Sequence, residues 1–207
     1  MPADTGPDTG MQPMQRTTWF AAAAFWAAML GAAAAQPAKK GCDLPNADRS
    51  IHGVTLGNAK SAREVLGEDH RNVVNDPQTD FPWILFASRD NKQLLAFRHH
   101  AGDIVDSYLE VEVKFARDSR KPPNLHVFEF VTGQGIKLGM KRRPFVRKMG
   151  PCFSSVIKGT TETIRYEIKE LEPKSAILKV ANMPQYYAEY EFDHGVLVRM
   201  KFGYEPV

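Results

Sequence analysis

The chain has little charge in excess, few cysteines, no long membrane span and no catalytic signature. Its 207 residues carry a net charge of only +3. That falls short of the concentrated basic footprint expected of a nucleic-acid binder, so no nucleic acid is expected as a partner. The longest apolar run, Trp19–Ala35, stops short of the roughly 20 residues that a transmembrane helix needs, and it is mostly alanine. There is no G-x-S-x-G, no P-loop and no dinucleotide fingerprint. The stretch "GQGIKLG" (133–139) has its glycines one position out of order for a phosphate loop. Ser154 and Ser155 have no base nearby in sequence. Together these absences argue for a non-enzymatic protein without a cofactor.

What is present is an ordinary globular composition, 43% hydrophobic and 10% aromatic. The apolar run follows Arg16 and ends in small residues, the pattern of a secretory signal peptide. Ala33 and Ala35 supply the small pair, which places cleavage before Gln36, and the acidic "MPADTGPDTG" suggests translation starting at Met11 or Met14. Residues 1–35 are thus the expected signal, and retention of 19–35 as a membrane anchor is the alternative. The expected location is periplasmic or secreted. The two cysteines, Cys42 and Cys152, then read as one disulfide. It would close a loop of roughly 110 residues and stabilise by about 4–5 kcal/mol in the chain-entropy account. Lipidation of Cys42 is the weaker reading, because Lys39, Lys40 and Gly41 do not resemble a lipobox.

An internal repeat organises the rest. "GVTLGNAKSAREVLG" (53–67) matches "GIKLGMKRRPFVRKMG" (135–150) at Gly53/Gly135, Val54/Ile136, Leu56/Leu138, Gly57/Gly139 and Gly67/Gly150. Each copy predicts a short helix. Asn58 is an N-cap candidate, and Ala62, Val65 and Leu66 have the spacing of one buried face. In the second copy Phe145, Val146 and Met149 have the same spacing, and Pro144 fits only a first turn. Strands are expected after each helix. The segments are "FPWILFAS", "KQLLAFRH" and "SYLEVEVKF" in the first copy, then "TIRYEIKEL", "SAILKVA", "YYAEYEFD" and "VLVRMKFGY" in the second. "RDNK" (89–92) and His194-Gly195 are turn signals. "LHVFEFV" (125–131) is one more expected strand. The expected organisation is a polar segment over 36–50, repeat 1 over 51–115, linker and connecting strand over 116–132, and repeat 2 over 133–207. The fold class is α+β, with helices on one face of an antiparallel sheet.

The G-[IV]-x-L-G-x-(helix)-L-G pattern followed by a β-meander resembles the fold of the SmpA/OmlA (BamE) outer-membrane lipoproteins and of the β-lactamase inhibitor protein, which carries two such units. The resemblance covers about 51–115 and 133–204. Its residues, Gly53, Leu56, Gly57 and Gly67, then Gly135, Leu138, Gly139, Met140 and Gly150, are capping and packing positions, so no functional residue carries over. Lys141 stands where such helices usually start with Ser or Thr.

Four groups of side chains invite a chemical reading. His99 and His100 with Asp103 and Asp106 form the one metal-like cluster; adjacent strand histidines point to opposite faces, which makes a polar loop the simpler reading. Glu110 and Glu112 share one strand face and read as a solvated pair. Lys141, Arg142, Arg143, Arg147 and Lys148 form a basic run on one helix, either a soluble face or a patch for an anionic partner such as a lipid surface. Tyr186, Tyr187 and Tyr190 are candidate recognition aromatics or core. The expected function is recognition of an envelope protein through the sheet face without helices, with binding of an anionic amphiphile as the alternative.

Overall fold

Alternation of apolar and charged residues draws the longest described segments into antiparallel strands. The structure is a computed structural model and describes residues 35–36, 47–67, 73–74, 83–99, 107–117, 122–169 and 175–205. In chain order the elements are β1 (Ala35–Gln36), β2 (Ser50–Ile51), β3 (Val54–Thr55), α1 (Ala59–Leu66), β4 (Val73–Val74), β5 (Trp83–Ala87), β6 (Gln93–Arg98), β7 (Glu110–Phe115), α2 (Arg142–Met149), β8 (Ser154–Lys158), β9 (Thr161–Lys169), α3 (Ala176–Ala181), β10 (Gln185–Asp193) and β11 (Val196–Glu205). Nine strands form one antiparallel sheet in the order β1-β8-β9-β10-β11-β7-β6-β5-β4, and β2 and β3 pair separately. The fold is therefore α+β, dominated by a large antiparallel sheet.

The apolar sets of the strands share one core. Ile164, Tyr166 and Ile168 of β9, Tyr186, Ala188, Tyr190 and Phe192 of β10, and Val111 and Val113 of β7 are all buried in it. Phe145 of α2 lies on these rings, with centroids 4.6 Å from Tyr190, 5.1 Å from Phe192 and 6.3 Å from Tyr166. Burying such a side chain contributes about 1.5–3 kcal/mol, and Phe145→Ala would cost about 3–5 kcal/mol.

Local chemistry explains where the helices start and stop. Asn58 caps α1 by accepting from the backbone N–H groups of Lys60 and Ser61. Gly67 and Gly150 end α1 and α2 at nearly the same dihedrals, φ 83°, ψ 171° and φ 84°, ψ 170°. That region is essentially restricted to glycine. The hairpin between β10 and β11 turns at His194 and Gly195, both at positive φ, as a two-residue turn requires.

Two expectations fail, and one strand was not expected. "SAILKVA" forms α3 rather than a strand. Leu178 is buried, Ile177 and Ala181 pack against the core at helical spacing, and Asn182 closes the helix in the left-handed region. The segment 125–131 is not a strand either. The Phe130 N–H donates to the Gln93 side chain and the Arg89 N–H to the Val127 carbonyl, while Phe128 turns outward, 59% exposed. Conversely β8, unmarked by the sequence pattern, pairs with β9 over all five of its residues.

Candidate functional site: a charge lattice on the second sheet face

The strand residues that point away from the core form rows fixed by register. One row runs Glu167, Tyr187, Gly203, Glu110, Arg98 and Trp83 across β9, β10, β11, β7, β6 and β5. The next begins Arg165, Glu189, Lys201, Glu112, and a third begins Thr163, Glu191, Arg199, Lys114. Along β10 the outward charges are acidic and along β11 they are basic, so opposite charges face each other across the strands, the arrangement in which cross-strand pairs stabilise a sheet.

Two hubs tie the lattice together. Arg165 donates to Glu167 at 2.6 Å, to Glu205 at 3.0 Å and to Glu189. Burial works against its charge, but the three carboxylates outweigh that and raise its pKa. Glu110 is the second hub and is almost fully buried. Its Oε2 accepts from Arg98 at 2.8 Å, from Tyr187, and lies 3.1 Å from Lys201 Nζ. Its Oε1 is buried without a hydrogen-bond donor. The Tyr187 ring lies between Arg165 and Lys201, at 5.0 Å and 5.5 Å, so its π face is held by two cations. Burial first, then the neighbouring Glu110 carboxylate, push the Tyr187 pKa up and keep the phenol neutral.

Gly203 makes the second hub feasible. β10 and β7 are separated by β11, a span of about 10 Å at ordinary strand spacing. The residue of β11 between Tyr187 and Glu110 is Gly203, so no side chain blocks the phenol as it crosses. Farther along, Glu112 accepts from Arg199 at 3.0 Å and lies 3.2 Å from Lys114. Burial raises the Glu112 pKa, yet Arg199 and Lys114 together bring it below the ordinary value. Beside this pair lies a groove of about 460 Å³, whose walls include Leu94, Phe115, Val198, Arg117 and Glu191.

The expected site residues fall in different places. Glu110 and Glu112 share a face as their spacing implied, but they are not a solvated pair. Arg98, Lys201 and Arg199 from neighbouring strands cover and neutralise them. Tyr186 and Tyr190 are fully buried and Tyr187 is 3% exposed, so none of the three offers an open aromatic surface. The Tyr190 hydroxyl donates to Asp48 Oδ2 at 2.9 Å and the Tyr186 hydroxyl to the Asp48 carbonyl at 2.6 Å. Asp48 also accepts from the Gln134 N–H. Burial raises its pKa against the opposing pull of Thr132, Gln134, Tyr190 and Lys148. Nothing in the local sequence marked Asp48.

The basic run divides. Arg142 is held by Glu162 at 2.5 and 2.9 Å, and this partner raises its pKa. Lys148 donates to the Gln134 carbonyl at 3.2 Å. Lys141, Arg143 and Arg147 are exposed, and among the described residues none has an acidic partner. Cys42 lies outside the described residues, while Cys152 sits half-buried ahead of β8. His100, Asp103 and Asp106 also lie outside them, and His99 packs on Tyr108 at 4.6 Å. Among the described residues no group of three metal ligands comes together, and no helix is long and apolar enough to cross a membrane. No family model, curated protein or solved structure matches the chain.

Proposed function

We propose that this is an exported, non-enzymatic cell-envelope protein that recognises a partner protein through the lattice-bearing, helix-free face of its sheet. The role is one of envelope assembly or of an inhibitor. The observation that carries this reading is the lattice itself. Its charges are fixed by mutual pairing yet partly exposed: the side chains of Arg199 and Glu191 are 36% and 33% accessible. They border a groove that also offers Leu94 and Phe115. Pre-ordered charges around an apolar floor suit a complementary protein surface, since the ordering entropy is already spent before binding.

The same reading takes the chain as a tandem duplication of a helix-plus-meander unit, similar to the BamE-like and inhibitor-like fold. The six matched glycines support it, all at φ between 71° and 86°. So does the strand order, in which β7 and β11, the last strand of each unit, pair with each other. The export reading expects a mature N-terminus at Gln36 and a Cys42–Cys152 disulfide. Mass spectrometry of the exported chain checks both, and a free thiol at either cysteine refutes the disulfide.

The functional test is capture from envelope extracts with wild type and with the double charge reversal Glu191→Arg, Arg199→Glu. A specific partner, retained by wild type and lost in the variant at equal stability, is expected. Equal capture by both would sink the face as the binding surface. A second reading rests on Lys141, Arg143 and Arg147, which would engage an anionic amphiphile or lipid surface. Replacing all three with Ala should abolish salt-sensitive binding to anionic liposomes; unchanged binding removes that reading.

A further inference from the structure

The outer edge of an open sheet carries unpaired N–H and C=O groups, and folds normally cover or charge such an edge. Here the inner edge of β8 is paired with β9 from Ser154 to Lys158. Among the described residues its outer edge meets the two residues of β1, Ala35 on Val156 and Gln36 on Ser155. β8 contains neither proline nor glycine, its one charge is Lys158, and Ile157 is 49% exposed. A groove of about 310 Å³ beside it is lined by Ser154, Val156, Thr163, Arg165 and Glu189.

β1 spans the bond that the sequence reads as the cleavage site. A cut there leaves Gln36 as the one β1 residue on the mature side. Pro37 follows it and has no N–H with which to continue a ladder. The antiparallel register, Ala35 on Val156 and Gln36 on Ser155, runs toward Ile157 and Lys158 only through residues of the leader. In this register no residue of β1 on the mature side stands opposite Val156, Ile157 or Lys158.

We propose that the outer edge of β8 is a strand-acceptor site, uncovered by cleavage after Ala35, and that its occupant is an extended antiparallel segment of a partner polypeptide. The segment takes the place of β1, and its backbone supplies the affinity while alternate side chains supply selectivity. It is proline-free over the paired stretch, with an apolar residue opposite Ile157 and an acidic one opposite Lys158. The site borders the sheet face proposed above, sharing Arg165 and Glu189 with it, and its uncovering rests on the export reading.

The probe is a blocked peptide, Thr-Glu-Val-Ala-Gln-Thr, added to the exported chain, with amide hydrogen exchange read in β8 and the N-terminus read by mass spectrometry. Two outcomes support the proposal together. The N-terminus is Gln36, with β8 exchanging faster than in a cleavage-blocked Ala33→Arg chain. The peptide then slows that exchange roughly tenfold, while a version with proline in place of valine does not. An N-terminus other than Gln36 overturns the uncovering step. Failure of the peptide on a chain that does begin at Gln36 overturns the acceptor site. A concentration-dependent dimer that protects β8 without peptide overturns the foreign partner in favour of a second copy.

Discussion

Gly203→Ala is expected to be the most damaging single-methyl change in the sheet. A Cβ at Gly203 would sit 2.4 Å from the Leu109 carbonyl oxygen and 2.8 Å from Glu110 Cα. Both are backbone atoms at the start of the neighbouring strand β7, so no side-chain rotation relieves the contact. Reaching an ordinary separation needs a shift of about 1 Å, on the scale of close packing in protein interiors. The hydrogen bond from Tyr204 N–H to the Leu109 carbonyl, now 2.9 Å, would stretch beyond useful length. Overpacking of this kind costs about 1–3 kcal/mol and a lost backbone bond about 1 kcal/mol more. Tyr187 would also be pushed off Glu110, bringing the total to about 5 kcal/mol, because a hydrogen bond to a charged acceptor contributes about 1.5–3 kcal/mol. For a chain of this size that corresponds to a fall in Tm of about 10–20 °C.

Urea unfolding of Gly203→Ala and of Gly150→Ala separates crowding from backbone strain. A Cβ at Gly150 meets nothing within 4 Å, so its cost is conformational only, about 1–3 kcal/mol for leaving the glycine region. Gly203 is not among the positive-φ residues, so its requirement is for room alone. In the Gly203→Ala background, Tyr187→Phe should cost almost nothing further, because its bond is already broken. A loss below about 1 kcal/mol for Gly203→Ala, or full additivity with Tyr187→Phe within about 0.5 kcal/mol, would refute the argument.

Two more expectations follow from the buried acids. A double-mutant cycle of Tyr187→Phe and Glu110→Gln should show coupling of about 1.5 kcal/mol or more, and additive losses would mean that the contact contributes nothing. The Asp48 pKa is raised in the fold from an ordinary value of 3.8, so the native state holds its proton more tightly than the unfolded chain. Its stabilising contribution is therefore greatest below that value and is lost as pH rises through the folded pKa. Across that window, wild type should lose stability relative to Asp48→Asn in urea titrations; a constant difference or the opposite slope sinks the claim. Glu112, whose pKa is lowered, works the other way. Its contribution is present above 4.5 and fades as pH falls through its folded value.

What was legible in the sequence was local. The paired glycines, the Asn58 cap, the Phe145–Met149 helix face and the period-two strands each need only a few neighbouring residues. What was not legible depends on strand order. Period two places Glu110 and Glu112 on one face but cannot say that Arg98 and Lys201 will flank that face. The partners of Asp48 lie 86, 138 and 142 residues away, and no local pattern encodes such a distance. "SAILKVA" failed for another reason. A short apolar run fits strand and helix equally, and Asn182 decides the matter only once it is seen to cap.

The basic start of α2 yields the last expectation. Lys141 stands at its N-cap with no side-chain hydrogen bond, whereas Asn58 satisfies two N–H groups in α1. Cations here oppose the helix dipole by some tenths of a kcal/mol, and Arg143 and Arg147, four apart, repel by about 0.2–0.5 kcal/mol. The helix tolerates this because little at its start needs capping. The Arg142 N–H donates to the Gly195 carbonyl at 3.0 Å, and Pro144 has no N–H to satisfy. Phe145 N–H already bonds the Lys141 carbonyl, so Arg143 N–H alone remains for a cap. Asn58→Ala should thus cost about 1–2 kcal/mol, and Lys141→Asn should gain only about 0.5 kcal/mol. Equal and opposite effects in thermal unfolding would mean that Pro144 and Gly195 do not replace the missing cap. Part of the gain from Lys141→Asn should also persist at high salt, where the dipole contribution is screened and the hydrogen bond remains. A gain that vanishes with salt would assign it to relief of charge instead.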